Sequence, residues 1–166
     1  VSGSMTIGNR YDMAIDAVRD FVDAREGDAF GLTLFGSYAI RWVPLTRDLD
    51  AIRNALPFAD PERQPTHMGG TRIGHALQFC LGNMATEAEA GDRMIILVSD
   101  GMSSDIADAS AALALADDLK ASNITVFHVH VGTGSVPGTV QELARETGGE
   151  AFVATDRKGL GRAFQY

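Results

Sequence analysis

Cysteine is nearly absent from this sequence of 166 residues, in which Cys80 is the only one. A single cysteine excludes an intrachain disulfide, which fits a cytosolic domain and equally a disulfide-free domain outside the cytoplasm. Cys80 lies between Phe79 and Leu81 in an apolar pattern of helical period. Free cysteine is among the most buried residue types, and we therefore expect an inert thiol in the core.

Long apolar segments are also missing. No run approaches the ~20 apolar residues that a membrane-spanning helix needs, so we expect the domain itself not to be embedded in a membrane. The N-terminus has neither the basic nor the apolar region of a secretory signal. Because the sequence opens on Val1, we expect a part of a longer protein, and the localisation stays open.

Positive charge is scarce, with 14 Lys and Arg against 22 Asp and Glu and a net charge of −8. An acidic surface repels phosphates, which argues against nucleic acid and anionic membranes as partners. It is compatible with cation binding and with basic partner surfaces. Apolar residues make up 45% of the chain, and the length suffices for a sizeable core. We predict one domain over residues 1–166.

Helical and strand patterns alternate along the chain. Apolar residues recur at helical spacing over 10–25, 71–85 and 106–121. The apolar runs 93–99 and 124–131 are typical of strands buried in a parallel sheet. Segments 29–35 and 39–43 are joined by a short link, which predicts an antiparallel hairpin ended by Pro44. The expected fold is α/β: a doubly wound, mostly parallel open sheet with one antiparallel edge strand and helices on both faces.

Small oxygen-bearing residues stand at the edges of three of these segments. Ser2 and Ser4 flank Gly3, Thr71 follows two glycines, and Asp100 follows the run 93–99. Hard oxygen ligands of this kind suit Mg²⁺ or Mn²⁺. The alternative is structural: serines in a turn, and Thr71 and Asp100 as helix caps. Spacing alone favours neither interpretation.

In their order along the chain, these stretches resemble the von Willebrand factor A domain and its metal-ion-dependent adhesion site, written Asp-x-Ser-x-Ser, then Thr, then Asp. Ser2 and Ser4 match the two serines, Thr71 the threonine and Asp100 the second aspartate. The first aspartate, and the apolar strand that leads into it, would precede Val1. The resemblance covers nearly the whole chain and implies a domain that is incomplete at its N-terminal end.

The resemblance implies a protein-interaction module rather than an enzyme. An ion held by Ser2, Ser4, Thr71 and Asp100 is under-neutralised, and in this family an Asp or Glu of the partner protein completes its coordination. The stretches 42–48 and 69–77 are similar to those of bacterial Bat-type proteins. Such proteins often occur with MoxR-type AAA ATPases, which suggests an ATPase-linked assembly.

Two other functions remain open. One is a metal-free interaction scaffold, and the other is a metal-dependent phosphohydrolase on a similar sheet. The sequence contains neither a Gly-x-Ser-x-Gly elbow nor a phosphate-binding P-loop, which argues against catalysis. We expect Asp105 to cap a helix beginning at Ile106, the alternative being a carboxylate that holds a water near the ion. His128 and His130 are expected to be structural, although a zinc pair is conceivable.

Overall fold

The computed structural model describes residues 10–25, 27–60, 69–87, 91–99, 101–131 and 134–153. In chain order, its elements are α1 (Arg10–Asp23), β1 (Phe30–Phe35), β2 (Ala39–Thr46), α2 (Leu49–Ala55), a 3₁₀ helix (Leu56–Ala59), α3 (Ile73–Glu87), β3 (Arg93–Ser99), α4 (Ala109–Ala121), β4 (Ile124–His130), α5 (Gly138–Glu146) and β5 (Ala151–Val153). The sequence also predicts a last helix over 158–165, and this segment lies outside the described residues.

The strands form two groups. β3, β4 and β5 make a parallel sheet in that order, with β4 paired along its whole length with β3. β5 is short and pairs only with residues 128–130 of β4. β1 and β2 form an antiparallel pair. The expected α/β fold, with parallel strands and an antiparallel edge, is therefore confirmed.

β2 continues to Thr46, beyond Pro44, where the sequence predicted that pairing would end. The register explains why the proline is tolerated. Leu32 pairs with Val43 but Phe30 pairs with Thr46, so β2 contains one residue more than β1 over this stretch. A bulge on an edge strand is a place where a residue without an N–H group can lie.

Alternate residues of β3 face two apolar layers. Ile95 and Leu97 pack with α3, α4 and α5 in a core whose helical members include Leu77, Leu119 and Leu143. Met94 and Ile96 pack on the opposite side, in a cluster around Phe21, Val22 and Ile52 from α1 and α2. Helices thus cover both faces of the strand, which is why its sequence is apolar at every position from 94 to 98.

A cavity of about 860 Å³ is lined by residues of both groups of strands. The lining includes residues 30–35 of β1, residues 93–98 of β3 and side chains of α1 and α3. Within the described residues, β1 pairs with β2 alone and β3 with β4 alone. An additional strand in this position would join the two groups into one continuous sheet.

Candidate functional site

Thr71 is the one predicted metal ligand that lies within the described residues; Ser2, Ser4 and Asp100 lie outside them. Thr71 is half-buried and precedes α3 by two residues. Its carbonyl oxygen accepts hydrogen bonds from the Ser104 N–H (2.9 Å) and the Ser104 hydroxyl (3.1 Å). The start of α3 is therefore held against the loop that follows β3, the strand after which Asp100 comes in sequence.

The first N–H groups of α3 are capped by that same loop. The Asp105 carboxylate accepts from the Gly74 N–H (3.0 Å) and the His75 N–H (2.8 Å). The Ser103 hydroxyl accepts from the Ile73 N–H at 3.3 Å. The expectation that Asp105 caps the following helix is therefore wrong, because Asp108 caps α4 by accepting from the Ala111 N–H. Ser103 and Asp105, and not Thr71, accept from these N–H groups, which speaks against the structural alternative for Thr71.

Opposing effects determine the pKa of the Asp105 carboxyl. Burial acts to raise its pKa, since the charged form loses solvation. The hydrogen bonds from the His75 N–H, the Ser103 hydroxyl and the Gly74 N–H act to lower it. The Arg72 guanidinium, 3.7 Å away, lowers it further. The net result is a pKa below the usual value, so the carboxylate is charged at neutral pH.

The turn that follows β3 is fixed by close packing. Gly101 has φ +76°, and a Cβ atom added there would lie 2.5 Å from the Cδ atom of Pro137. The Gly101 N–H donates to the Ser99 hydroxyl at 3.1 Å. That hydroxyl is also 3.0 Å from Nε2 of the fully buried His128. Both neighbours of Asp100 in sequence are thus held in place.

A third loop, the turn between β1 and β2, contacts the segment that precedes α3. The Gly36 carbonyl accepts from the Arg72 N–H at 3.1 Å, and the Ser37 hydroxyl donates to the Gly69 carbonyl. Gly70 has φ +104°, and a Cβ there would lie 2.8 Å from the Ser37 hydroxyl. The loops 36–38, 69–72 and 101–105 therefore converge, and β1 and β3 both end there.

The remaining candidates behave as structural residues. His128 and His130 are buried, and the contact of His128 with Ser99 agrees with the expectation of structural histidines near a sheet end. Cys80 is half-buried rather than enclosed in the core, and it lines the cavity. Burial raises the pKa of its thiol, against a smaller opposing effect of a hydrogen bond with Thr33.

Within the described ranges, no three His, Cys, Asp or Glu side chains cluster in a way that could hold a metal ion. Nor does any helix in that part of the chain combine the length and apolar character needed to cross a membrane.

Comparison with known protein families shows to which family the chain belongs. The sequence model of the von Willebrand factor type A domain matches residues 1–103. The chain belongs to the von Willebrand factor type A family. Among curated proteins, this A domain is 36% identical over 115 residues to the mouse collagen alpha-4(VI) chain, which covers 65% of this chain. It spans only 4% of the length of that collagen chain.

Solved structures show the same fold. An aerotolerance-related membrane protein from Bacteroides fragilis, with multiple mutations to serines, matches with a TM-score of 0.78 at 22% identity, over 99% of this A domain and 94% of that chain. BatB from Bacteroides thetaiotaomicron matches with a TM-score of 0.78 at 21% identity, over 99% and 92%. The manganese-loaded TRAP protein of Plasmodium vivax matches with a TM-score of 0.70 at 18% identity, over 98% and 69%.

Proposed function

We propose that this A domain is a protein-interaction module that depends on a divalent metal. Mg²⁺ or Mn²⁺ would be held by Ser2, Ser4, Thr71 and Asp100. When bound, the ion supplies an open coordination position for an Asp or Glu of a partner protein. The observation that carries the proposal is the anchoring of Thr71 to the loop after β3, which brings two of the four ligand-bearing segments to one edge of the fold.

The hydrogen bonds at this edge support the assignment of Thr71. The structural alternative made Thr71 the cap of α3, but Ser103 and Asp105 cap that helix. A threonine hydroxyl is one of the hard oxygen donors that Mg²⁺ accepts.

The alternative role of Asp100 is weakened in the same way. As a helix cap, it would serve α4, and Asp108 already accepts from the Ala111 N–H at 2.9 Å. The described neighbours of Asp100 are rigidly held through Ser99 and Gly101. A ligand between two fixed residues loses little conformational entropy on binding an ion.

Solved structures of the same fold support the proposal. The TRAP structure, which shares this fold, carries manganese. The two Bacteroides structures match nearly the whole chain, one being named BatB and the other an aerotolerance-related membrane protein. From the resemblance of stretches 42–48 and 69–77 to Bat-type proteins, we propose that the partner belongs to a bacterial assembly linked to a MoxR-type AAA ATPase. Catalysis forms no part of the proposal.

The test is calorimetric titration of Mg²⁺ and Mn²⁺ into the protein and three variants. We expect saturable binding that Asp100→Ala abolishes and Thr71→Ala weakens at least tenfold, because each removes one oxygen ligand. Thr86→Ala is the matched control, since Thr86 lies at the far end of α3 and its hydroxyl bonds only to the helix backbone. Equal affinities in all four proteins would overturn the site assignment.

A capture experiment tests the role of the ion in partner binding. Proteins captured from a bacterial lysate in the presence of Mg²⁺ should be released by a chelator. Substituting the contacting Asp or Glu of the captured partner by Asn or Gln should abolish capture. Capture that survives both treatments would favour the metal-free scaffold instead.

A further inference from the structure

Three exposed side chains belong to the loops that converge beside Thr71. Tyr38, in the turn between β1 and β2, is 60% exposed, and Met102, in the turn after β3, is 68% exposed. The side chain of Arg72 is 46% exposed. Aromatic residues, methionine and arginine are enriched where proteins bind one another, whereas lysine and glutamate are depleted there. The large exposed side chains at this edge are therefore typical of a protein-binding surface.

Hydrogen bonds fix the backbone of Arg72 between the other two loops. Its N–H donates to the Gly36 carbonyl at 3.1 Å, and the carbonyl of the preceding Thr71 accepts from the Ser104 N–H at 2.9 Å. Arg72 follows the proposed ligand Thr71 directly, and the Cα atoms of consecutive residues are about 3.8 Å apart. A partner segment that reaches an ion beside Thr71 is therefore within reach of the Arg72 side chain.

The stability of α3 does not account for an arginine at this position. Arg72 directly precedes Ile73, the first residue of α3. The N-terminal end of a helix carries a partial positive charge, so a cation there is unfavourable. The Asp105 carboxylate is 3.7 Å from Nε of Arg72, which is longer than a hydrogen bond, and its oxygens accept from the first N–H groups of α3 instead. The guanidinium is therefore suited to a ligand outside the domain.

The chemistry of arginine defines that ligand. The chain has a net charge of −8, so an acidic partner segment meets an overall repulsion that a local positive charge at the binding edge offsets. A guanidinium matches a carboxylate through two parallel N–H···O bonds, and such charged bonds are stronger than neutral ones. A carboxylate is thus the group that best fits Arg72.

The spacing of the partner's acidic residues follows from the geometry of an extended segment. Neighbouring side chains of such a segment point to opposite sides, whereas side chains two residues apart point to the same side and are about 7 Å apart. Two residues is therefore the shortest spacing that presents two carboxylates to one edge. Because Thr71 and Arg72 are adjacent, the shortest spacing is the one that fits.

We propose that Arg72 determines which partner the ion accepts, a role that rests on the metal-dependent function proposed above. The partner segment is extended and carries two carboxylates two residues apart. One completes the coordination of the ion, and the other pairs with the Arg72 guanidinium. Apolar side chains that flank the acidic pair pack against Tyr38 and Met102.

Peptide binding to the full chain at saturating Mg²⁺ tests this role. The peptide Leu-Glu-Gly-Glu-Leu, with both ends blocked, presents two carboxylates at the required spacing. Leu-Glu-Gly-Gln-Leu lacks the second carboxylate, and Leu-Glu-Glu-Gly-Leu keeps both charges at the wrong spacing. Amide chemical shifts followed during titration give each Kd. We expect the first peptide to bind about tenfold more tightly than either control, because its second carboxylate gains charged hydrogen bonds.

Variants of Arg72 assign this preference to the guanidinium. In Arg72→Gln, the peptide with two carboxylates should bind no more tightly than the peptide with one. Arg72→Lys should retain part of the preference, since lysine keeps the charge without the paired N–H groups. Arg145→Gln is the matched control and should keep the full tenfold preference, because Arg145 is an exposed arginine in the last turn of α5 that pairs with Glu142 and Glu146.

A serine-flanked peptide, Ser-Glu-Gly-Glu-Ser, tests the apolar contacts. We expect it to bind about fivefold more weakly than the leucine-flanked form, because it buries less apolar surface. This difference should vanish when Tyr38→Ser and Met102→Ser are combined. Trp42→Ser is the control and should retain the difference, since Trp42 is an exposed aromatic residue further along β2. A difference that survives the combined variant would overturn the apolar contacts.

The Mg²⁺ titration of the wild type separates failure of this role from failure of the proposed function. If Mg²⁺ binds and the three acidic peptides have equal affinities, or if the preference persists in Arg72→Gln, the role of Arg72 is overturned and the metal-dependent function stands. Absence of Mg²⁺ binding, or peptide binding that survives a chelator, would overturn the metal-dependent function and the role of Arg72 with it.

Discussion

At the scale of single residues, Asp105 has the clearest role. It joins the loop after β3 to the first turn of α3 through two N–H groups and the Ser103 hydroxyl, which donates to it at 2.8 Å. A sequence pattern cannot assign this cap, because the carboxylate and the helix it serves are about 30 residues apart. Local reasoning therefore assigned Asp105 to the next helix in the chain. By contrast, Asp48 caps α2 by accepting from N–H groups two and three residues further along the chain, a cap that a local pattern can indicate.

Removing this carboxylate should destabilise the fold. Asp105→Ala leaves the first N–H groups of α3 without their acceptor, and we expect a loss of about 1–2 kcal/mol in the free energy of unfolding. Urea denaturation measures it. Asp60→Ala is a control, because Asp60 is not part of this cap. An equal loss in both variants would contradict the assigned role.

The same carboxylate makes stability depend on pH. Its pKa is lower in the folded state than in the unfolded state. Its contribution is therefore fully present above the unfolded pKa of about 3.9 and is lost as pH falls through the lower folded pKa. The difference in unfolding free energy between the wild type and Asp105→Asn should shrink between pH 5 and pH 2. A difference that stays constant over this range would show that the charge of Asp105 does not contribute.

At the scale of elements, Thr147 connects the end of α5 to β4. Its hydroxyl donates to the Ala144 carbonyl at 2.8 Å and accepts from the Val126 N–H at 3.0 Å. β5 pairs only with residues 128–130, so Val126 lies beyond the reach of that strand. A side chain thus replaces the missing part of a ladder, and no periodicity in the sequence could indicate it.

Thr147→Val tests this connection. The valine keeps the shape of the threonine but leaves a buried N–H group of β4 unsatisfied, and we expect a loss of about 1–3 kcal/mol in unfolding free energy. Thr86→Val on the exposed side of α3 is the control and should change stability far less. Thermal and urea unfolding measure both variants. A negligible effect of Thr147→Val would mean that water or another group serves Val126.

The turn after β3 should be equally sensitive. Gly101→Ala places a side chain in a left-handed conformation against Pro137, and we expect a destabilisation of about 1–3 kcal/mol. Gly82→Ala is the contrasting control, since alanine within a helix is favoured over glycine by about 0.5–1 kcal/mol. Chemical denaturation of the two variants should therefore shift in opposite directions. A shift in the same direction would contradict the packing described for Gly101.

At the scale of the whole molecule, we expect the two groups of strands to differ in how well their amides are protected from hydrogen exchange. β4 is buried along nearly its whole length and has a strand on each side, whereas β1 and β2 pair only with each other within the described ranges. Amide hydrogen exchange should therefore be slowest in β4 and faster in β1 and β2. A uniform exchange rate across all four strands would indicate a single cooperative sheet.

The sequence was sufficient to predict the architecture, because apolar runs such as 93–99 have few alternatives to a buried parallel strand. It also predicted a helix from Thr71, and α3 begins two residues later, at Ile73. The interactions that hold this edge together could not be predicted, because Ser104, Asp105 and Gly36 act across long sequence separations. Three of the proposed ligands, Ser2, Ser4 and Asp100, lie outside the described residues, and their role remains a prediction.

The attachment of α3 at its first turn has a mechanical consequence. The helix is 15 residues long, or about 22 Å, and its N-terminal end is fixed to the loop 101–105 while Cys80 and Met84 reach the cavity. Because the first turn of α3 is bonded to this loop, the position of the whole helix is tied to the loop that follows β3, and so is the position of the side chains that α3 contributes to the interior.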